Sequence, residues 1–384
     1  MRHATSVEPG LKSLRISPPF FSLYIHIPFC RNLCPYCHFY RIPPRPADED
    51  AYLPALAREA STLGPRSPDP VRTVFVGGGT PSLLPASFYS GLFSMLRDHF
   101  NLDGLMETTV EVDARVTRDE LSALADCGFD RVSIGVKSFR QTSLKKLGVP
   151  HDHEGSLALV SWAREAGFAS VGIDLLYGFE GQEMGDVVRD LQTGLALMPD
   201  HISLYALEEC GEKGPREGDP DATAGMFREA RRILLAGGFR QYEICNFARP
   251  GHISLHNLNY WMDGDYFGLG PSSHSALTSR GSRKRWANRA DLDGYLKNPS
   301  SVLEELCVEE PEKRPVEALI LALRRSGGVE LEAFTRRYGI DPRTLLGPAL
   351  GQFREMGLIR SSAKVIRLTT RGMLLSNEVF ERIL

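Results

Sequence analysis

Residues 21–39 have the sequence FSLYIHIPFCRNLCPYCHF, an apolar run followed by three closely spaced cysteines. Cys30, Cys34 and Cys37 follow a C-x3-C-x2-C spacing, so three thiols lie within eight residues. A four-iron cluster has four corners and usually takes four cysteine ligands, so three cysteines would leave one iron open to another molecule. The spacing therefore predicts an iron–sulfur cluster at a reactive site.

Two other metal sites use similar residues. Three cysteines with His38 could form a structural zinc site, but zinc ligands usually come as two separated pairs and no second pair follows. Residues 34–38, CPYCH, match the attachment signature of c-type haem. That attachment requires export, and residues 1–20 contain no apolar signal region. Three unliganded cysteines in a loop are the remaining alternative, and the spacing favours the cluster.

Length and composition are those of a globular protein. The 384 residues are enough for two or three domains, and 42% hydrophobic content is ordinary. Seven cysteines at irregular spacing disfavour a disulfide framework, so we expect a reducing cytoplasm. No apolar run is long enough to cross a bilayer. The net charge of −3 gives no general attraction to nucleic acid.

Short apolar runs alternate with longer amphipathic ones from residue 21 to about residue 247. The pattern predicts six strands at Phe21–Ile27, Thr73–Gly77, Thr108–Asp113, Arg131–Val136, Ser170–Leu176 and His201–Leu207. Six β/α units in a row predict an α/β fold with a parallel sheet. Right-handed crossovers would curl that sheet into a full or partial (β/α)6 barrel.

In such barrels the chemistry lies in the loops after the carboxyl ends of the strands. The unusual residues of this chain fall at that edge: the three cysteines, Gly77–Thr80, Glu111, Asp113, Lys137, Asp174, Glu208 and Glu209. The glycines let a backbone approach a ligand, although a glycine run alone indicates only a tight turn. Glu111 and Asp174 could accept hydrogen bonds from sugar hydroxyls or an ammonium, or could be ordinary solvated carboxylates.

The pattern divides the chain into four parts. We expect an N-terminal arm over residues 1–20, the barrel over 21–247, a connecting segment over 248–300 and a winged-helix-like α+β domain over 301–384. The last part shows helical patterns at Val316–Arg325, Leu331–Tyr338 and Arg343–Met356, then a strand pair around Leu358–Leu368. It holds 13 Lys and Arg against 12 Asp and Glu, which favours a docking module over a DNA reader.

The motifs together resemble the radical SAM superfamily. YIHIPFCRNLCPYCHF at residues 24–39 and GGGTPS at 77–82 carry that resemblance. Five further segments resemble a narrower group within that superfamily, the one that contains oxygen-independent coproporphyrinogen III dehydrogenases and HemW-type haem chaperones. They are DLLYG at 174–178, HISLY at 201–205, YEICNFA at 242–248, HNLNYW at 256–261 and LLSNEVF at 374–380.

The resemblance implies a radical SAM barrel with two cofactors. A [4Fe–4S] cluster would be held by Cys30, Cys34 and Cys37, and its open iron would be chelated by the amino and carboxylate groups of S-adenosylmethionine. One electron from the cluster could then cleave that cofactor to a 5′-deoxyadenosyl radical. By the same resemblance, the residues around the cofactor would be Tyr24, Tyr36, Gly78, Gly79, Thr80, Glu111 and Asp174.

This chain departs from the pattern of the group at four places. Gln is usual at Lys137, Arg at Val149, Asn-Pro at residues 113–114 and Pro at Glu180. The Gln and Arg normally help to hold the cofactor, and the loss of the Arg removes a planar fork for carboxylate or sugar oxygens. Lys137 restores a positive charge without that geometry, so we expect altered cofactor binding.

Two features separate the near relatives. The dehydrogenases carry a further cysteine two places after the third, where this chain has Phe39. The chaperones carry HNxxYW, which this chain has at residues 256–261. The imidazole of His256 could ligate haem iron, and Tyr260 and Trp261 could present flat faces to a porphyrin. The same residues are also typical of a packed core.

We therefore predict a cytoplasmic haem chaperone that passes haem to an unknown acceptor protein, supported by the cluster and S-adenosylmethionine. An electron donor would be needed if radical chemistry occurs. One alternative is a radical enzyme of the coproporphyrinogen III oxidase type that acts on a tetrapyrrole. A second alternative is a cluster-bearing regulator that uses its C-terminal domain on DNA, which would require salt-dependent duplex binding.

Overall fold

The computed structural model describes residues 19–384 except positions 69, 210, 212, 213, 280, 281, 310 and 311. The expected N-terminal arm lies outside the described residues, apart from its last two positions. None of the helices in the described part of the chain combines the length and apolar composition needed to span a bilayer.

Six parallel strands form the centre of the molecule. They are β1 (Phe21–Ile27), β2 (Val71–Gly78), β3 (Glu107–Asp113), β4 (Arg131–Lys137), β5 (Ser170–Tyr177) and β6 (His201–Ala206). Each strand pairs in parallel with the next one along the chain. The predicted strands agree with these bounds to within two residues, because strands buried on both faces leave near-continuous apolar runs in the sequence. The α/β prediction is confirmed.

Helices connect the parallel strands and cover the sheet. They are α1 (Pro46–Leu63), α2 (Ala86–His99), α3 (Arg118–Asp126), α4 (Gln141–Lys146), α5 (His153–Leu157), α6 (Leu159–Glu165), α7 (Met184–Ala196) and α8 (Pro220–Ala236). A capping box starts α3, since the Thr117 side chain accepts from the Glu120 N–H while the Glu120 carboxylate accepts from the Thr117 N–H. The crossovers bring the carboxyl ends of all six strands to one edge.

The part of the chain that follows α8 enlarges the same sheet. It contributes β8 (Asn246–Ala248), preceded by β7 (Arg240–Gln241), and then α9 (Leu255–Trp261), β9 (Asp265–Leu269), β10 (His274–Ser279), β11 (Ser282–Asn288), α10 (Leu292–Lys297) and β12 (Leu303–Glu309). The strand order is β12-β11-β10-β9-β1-β2-β3-β4-β5-β6-β8-β7, and β9 runs parallel to β1. Residues 248–300 are therefore part of the sheet and more than a connection. The sheet also continues through β12, past the boundary expected at residue 301.

The C-terminal region has its own small core and sheet. Its elements are α11 (Arg314–Leu323), β13 (Val329–Glu330), α12 (Leu331–Tyr338), α13 (Pro342–Leu346), α14 (Ala349–Glu355), β14 (Ile359–Ser361), β15 (Val365–Leu368), α15 (Thr370–Leu374) and α16 (Ser376–Glu381). The order of helices around an antiparallel β13-β15-β14 sheet is that of a winged helix. The helix expected at 343–356 is interrupted at Gly347, whose φ is +49°, and at Pro348.

Candidate cluster and cofactor site

A cavity of about 500 Å³ opens where the parallel strands end. It receives side chains and backbone from the loops after β1, β2, β3, β4, β5 and β6, as the sequence predicted for the edge of a barrel. The predicted site residues that line it are Cys30, Cys34, Tyr36, Cys37, Gly78, Gly79, Thr80, Glu111 and Asp174. Residues from four separate strand ends, those of β1, β2, β3 and β5, are thus brought to one space.

The cysteine loop begins where Pro28 ends β1. Its two ends are joined by backbone hydrogen bonds, from Cys30 N to Ile42 O (2.9 Å) and from Ile42 N to Pro28 O (2.8 Å). Inside the loop, the Cys37 N–H donates to Cys34 O (3.1 Å). These bonds fix the path of the chain around the thiols without using any cysteine side chain.

Arg41 holds the same loop from within, and the sequence analysis missed it. Its guanidinium donates to the carbonyl oxygens of Cys37 (2.6 Å) and Phe39 (2.9 Å) and also to that of Cys34. A planar fork with several donors suits this set of carbonyls. Arg41 lies four residues after the last cysteine, and a single arginine in a loop carries no pattern in the sequence that would have identified it.

The thiols face the cavity from the loop. The sulfur of Cys30 lies 3.2 Å from Thr80 Oγ1 and donates to Asn32 O (2.9 Å). Burial and the neighbouring Cys34 thiol raise the pKa of the Tyr36 hydroxyl, which also hydrogen-bonds to Cys34. Burial likewise raises the pKa of the Cys37 thiol, and the charge of Arg41 opposes that shift. In the described part of the chain these cysteines form no disulfide.

The donor set fits a cluster better than a single ion. Across the described residues, no three His, Cys, Asp or Glu side chains converge on a point where one metal ion could sit. A tetrahedral zinc site requires such convergence, whereas a cluster binds each thiolate at a separate iron. Three thiols that line one open cavity therefore fit the predicted [4Fe–4S] group, with space left beside it for a further ligand.

Gly78 occupies a place where no other residue fits. Its φ is +112°, and a Cβ there would lie 2.6 Å from the His26 ring. The Gly78 N–H donates to Glu111 Oε2 (3.1 Å), which links the second and third strand ends. The His26 ring is held in turn by Tyr40 O, 2.9 Å from its Nε2. The glycine loop and the cysteine loop thus pack on the same histidine.

Gly79 makes the closest approach to the cysteine strand. Its N–H donates to Ile27 O (2.7 Å), and the next N–H, of Thr80, donates to Phe29 O (2.8 Å). A Cβ on Gly79 would lie 2.5 Å from Phe29 O, which is a backbone atom with no room to move. The glycine run is therefore required by the close packing of two backbones at the floor of the cavity.

Two carboxylates face each other across the cavity. Burial raises the pKa of Glu111 to about 7, and the charge of Asp174 adds to the rise. The bond from Gly78 and the charge of Lys137 act in the opposite direction. Asp174 accepts a hydrogen bond from Ser133 Oγ (3.0 Å). These two groups can accept hydrogen bonds from the hydroxyl or ammonium groups of a ligand.

Tyr24 is not among the residues that line the cavity. It lies within β1, its hydroxyl is 3.0 Å from His26 Nδ1, and its ring stacks against Phe75. Burial, followed by the charge of Glu111, raises the pKa of its hydroxyl, which places Tyr24 close to the carboxylate. A direct contact between Tyr24 and a cofactor stays a prediction.

The predicted haem residues do not line this cavity, and haem ligation by His256 stays a prediction. His256 is 1% exposed. Its Nδ1 lies 2.8 Å from Thr73 Oγ1 and its Nε2 lies 2.8 Å from the Tyr260 hydroxyl, so both ring nitrogens have hydrogen-bond partners. Burial lowers the pKa of His256 to about 3, and the ring is therefore neutral. Iron ligation by His256 would require one of these bonds to break.

The rest of the motif connects two parts of the molecule. Glu107, at the start of β3, accepts from the N–H groups of Leu255 (2.8 Å) and His256 (3.0 Å). At the other end of the helix, the Arg324 guanidinium lies 4.5 Å from the centre of the Trp261 ring. We call residues 255–263 the α9 joint. Their contacts match packing, the alternative that the sequence left open for Tyr260 and Trp261.

Asp263 completes the α9 joint. Its carboxylate lies 2.7 Å from Arg283 in β11 and 2.8 Å from Arg314 in α11, and it accepts from the Tyr338 hydroxyl (2.8 Å). Asp263 is itself buried. A buried carboxylate between two arginines fastens the C-terminal region to the edge of the sheet.

Several residues that line the cavity were not singled out from the sequence. They include Arg115, His151 and Tyr205. Val149 lines the cavity too, and it packs with Leu144 and Phe179 in a small apolar cluster. The place where the related proteins usually carry an arginine is therefore apolar here.

Comparison with known proteins matches the parallel strands and the C-terminal region to two separate family models. Residues 24–193 match the Radical SAM superfamily, and residues 310–375 match the HemN C-terminal domain. The heme chaperone HemW of Bacillus subtilis is 33% identical over 378 residues, which cover 94% of this chain and 98% of that protein. The mitochondrial radical S-adenosyl methionine domain-containing protein 1 of Mus musculus is 35% identical, covering 92% and 84%.

A solved structure agrees over nearly the whole chain. Coproporphyrinogen III oxidase, HemN, of Escherichia coli, described as a radical SAM enzyme, superimposes with a TM-score of 0.79. The two proteins are 25% identical, and the match covers 94% of this chain and 89% of that one. The agreement includes the C-terminal region as well as the parallel strands.

Proposed function

We propose that this chain, which belongs to the HemW-type group of the radical SAM superfamily, is a haem chaperone that binds haem and transfers it to an acceptor protein. Similarity to several heme chaperones over nearly the full length of both partners supports the proposal. The observation that carries most weight is the pairing of an open cavity beside three thiols with Phe39 at its rim, where the dehydrogenases carry a further cysteine.

The superfamily brings a [4Fe–4S] cluster and S-adenosylmethionine. Cys30, Cys34 and Cys37 would hold the cluster, which supplies single electrons and one open iron when bound. The protein's own groups then bind and orient the ligand. The backbone at Gly78 and Gly79 gives the ligand close access, and the carboxylates of Glu111 and Asp174 accept its hydrogen bonds.

A haem titration tests the proposed function. The protein is reconstituted without air, haem is added stepwise, and the Soret band is followed together with haem retained after gel filtration. We expect saturable binding, and then loss of that haem to an added apo-haem protein, for which apomyoglobin is a convenient probe. Linear uptake without saturation, equal to that of lysozyme at the same concentration, would contradict the proposal.

A second candidate function has structural support. The likeness to coproporphyrinogen III oxidase favours a radical enzyme that acts on a tetrapyrrole. Phe39 argues against it, since its side chain is 62% exposed at the cavity rim and supplies no thiol. Incubation with coproporphyrinogen III, S-adenosylmethionine and dithionite decides between the two. Stoichiometric 5′-deoxyadenosine and loss of the substrate would establish the enzyme.

The remaining partners follow from the same proposal. We place the protein in the cytoplasm, where thiols and clusters stay reduced. An electron donor is required if the cluster undergoes turnover, and the acceptor protein is not identified by anything in the chain. The near-neutral C-terminal region suits docking to a protein better than binding to a duplex.

A further inference from the structure

Lys137 enters the cavity from a distorted strand end. It has a φ of +68°, in the left-handed region that is unusual for a residue with a side chain. The register between β4 and β5 shifts between Ile134 and Lys137, so the ladder is irregular at this point. Strained backbone that persists at a cavity is a frequent sign of a functional constraint.

A missing side chain makes room for the ammonium. A Cβ placed on Gly135 would lie 3.0 Å from Lys137 Nζ and 3.3 Å from Cε, so the lysine side chain folds back over this glycine. Gly135 lines the cavity beside it. The backbone turn and the glycine together direct the charge of Lys137 into the space between the strand ends.

Lys137 differs in its contacts from the arginines of the cavity. Arg41 is engaged by backbone carbonyls, and Arg115 forms a salt bridge with Asp113. Among the residues that the structure describes, none makes a hydrogen bond or salt bridge with Lys137 Nζ. Its charge acts at longer range on Glu111 and on the Cys37 thiol. A partly buried cation without a direct hydrogen-bond or salt-bridge partner can take an anionic ligand.

The apolar part of the cavity lining around Val149 gives this cation a specific task. Val149 stands where the related proteins usually have an arginine that helps to hold the cofactor, and it is enclosed with Leu144 and Leu147. A group that binds a ligand carboxylate is therefore absent from that wall. Lys137 supplies the positive charge from β4 instead.

We propose that the Lys137 ammonium binds a carboxylate of the ligand held in this cavity, and that this carboxylate belongs to S-adenosylmethionine. A carboxylate has two oxygens, so one can coordinate iron while the other accepts a hydrogen bond from the ammonium. A haem propionate offers the same chemistry. The inference about S-adenosylmethionine rests on the superfamily and does not depend on haem transfer.

The test compares Lys137→Met, which keeps the length of the side chain but removes its charge and its donors, with Lys145→Met, which removes an exposed lysine of α4 outside the cavity. Iron and sulfide are counted first, so that only cluster-loaded protein is compared. Equilibrium dialysis then measures the affinity for S-adenosylmethionine and for 5′-methylthioadenosine, which lacks both the amino and carboxylate groups. A haem titration runs in parallel.

We expect Lys137→Met to weaken S-adenosylmethionine binding about tenfold and to leave 5′-methylthioadenosine binding unchanged, since a charge-assisted hydrogen bond contributes about this much. Lys145→Met should match the wild type for both ligands. A loss confined to haem affinity would overturn the assignment to S-adenosylmethionine and give the contact to a propionate. Equal affinities in Lys137→Met and wild type for all three ligands, or equal losses for both adenosyl ligands, would overturn the proposal.

The two proposals fail separately. If the wild type does not take up haem, the chaperone function fails while the S-adenosylmethionine arm still decides the role of Lys137. If haem binds and the lysine substitution changes nothing, only the inference about Lys137 is lost.

Discussion

The cavity and the α9 joint are the two parts of this molecule richest in chemically versatile side chains, and they have opposite surroundings. In the cavity, the thiols of the cysteine loop, the carboxylates and Lys137 share about 500 Å³ of open space. In the α9 joint, His256 has partners at both ring nitrogens, and the Asp263 carboxylate has four, including Arg337 at 3.5 Å. Polar groups that are enclosed and paired within the protein have little left to offer a ligand, whereas groups that border an open space can reach one.

The difference between the cavity and the α9 joint distinguishes a motif whose side chains are available to a ligand from a motif whose side chains hold the fold together. Both stretches match patterns of the same protein group, and both contain residues that bind metals in other proteins. The cysteine loop keeps its side chains for a ligand because backbone bonds and Arg41 hold its shape. The helix of the α9 joint uses its side chains to hold two parts of the chain together. Four experiments test that difference, in order of decreasing effect.

Loss of a single thiol from the cavity should have the largest effect. Cys34→Ala removes one of three ligands, so we expect the reconstituted protein to lose most of its iron and sulfide. Chemical iron analysis and visible absorption measure the loss. Cys127→Ala is the matched control, because Cys127 lies outside the cavity, near Ser90. Four irons retained in Cys34→Ala would contradict the assignment of the cysteines.

His256→Ala should affect stability more than ligand binding. It leaves the hydroxyls of Thr73 and Tyr260 without their partner and opens a void in a buried site. We expect a cost of about 2–4 kcal/mol in the free energy of unfolding, measured by urea denaturation. His153→Ala, at a partly exposed position, should cost less.

The same variant tests the haem prediction. If His256 is a haem ligand, the folded His256→Ala protein will lose haem affinity and change its Soret maximum at low temperature, where it remains folded. If the joint is structural, the haem spectrum of the folded protein will match the wild type. The second result is the one that the contacts of His256 favour.

Gly79→Ala should weaken cofactor binding without unfolding the protein. The added Cβ would lie 2.5 Å from Phe29 O, so the glycine loop must shift away from the cysteine strand. We expect a loss of S-adenosylmethionine affinity of at least severalfold, roughly 1–3 kcal/mol, by equilibrium dialysis. In Gly351→Ala, an added Cβ meets nothing within 4 Å, and binding should not change. Equal S-adenosylmethionine affinities in Gly79→Ala and Gly351→Ala would show that close backbone packing at Gly79 does not limit cofactor binding.

A pH dependence should give the smallest effect. Burial, with the charge of Asp174, raises the pKa of Glu111 to about 7, so this carboxyl is largely protonated at pH 6 and largely ionised at pH 8. The ionised form is the better acceptor for hydroxyl or ammonium groups. We expect S-adenosylmethionine affinity to rise by up to about tenfold between pH 6 and pH 8.

Glu111→Gln provides the control for that titration. It cannot ionise, so the part of the pH dependence that comes from Glu111 should disappear and leave only the titration of the ligand itself. The same pH profile in Glu111→Gln and wild type would mean that another group causes the effect.

The sequence predicted the parallel strands well and the added strands poorly. Buried parallel strands such as β1 and β5 are continuous apolar runs, which periodicity detects. The strands β10 and β11 form an antiparallel pair at the side of the sheet, and their mixed composition carries little signal. Their membership in the main sheet depends on β9, which pairs with a strand more than 200 residues earlier.

The candidate site shows the same limits. The cysteines, the glycine run and the two carboxylates were found from type and spacing, and the structure brings all of them to one cavity. Arg41 and Arg115 were missed because an arginine in a loop has no distinctive pattern. The assignment of His256 to haem came from the HNLNYW motif and stays a prediction, since a motif shows residue types and not their hydrogen-bond partners.

The amino-acid order alone determined the local features of this protein: the alternation of strands and helices, and the three thiols held within eight residues on one loop. Such features depend on neighbours in the chain, so spacing and periodicity are enough to specify them. Only the tertiary structure decided which polar groups are satisfied. His256 meets Thr73 from 183 residues away, and Lys137 meets no counter-ion among the described residues. Partners that are distant in the chain become neighbours only on folding, and burial then fixes whether a group supports the fold or binds a ligand.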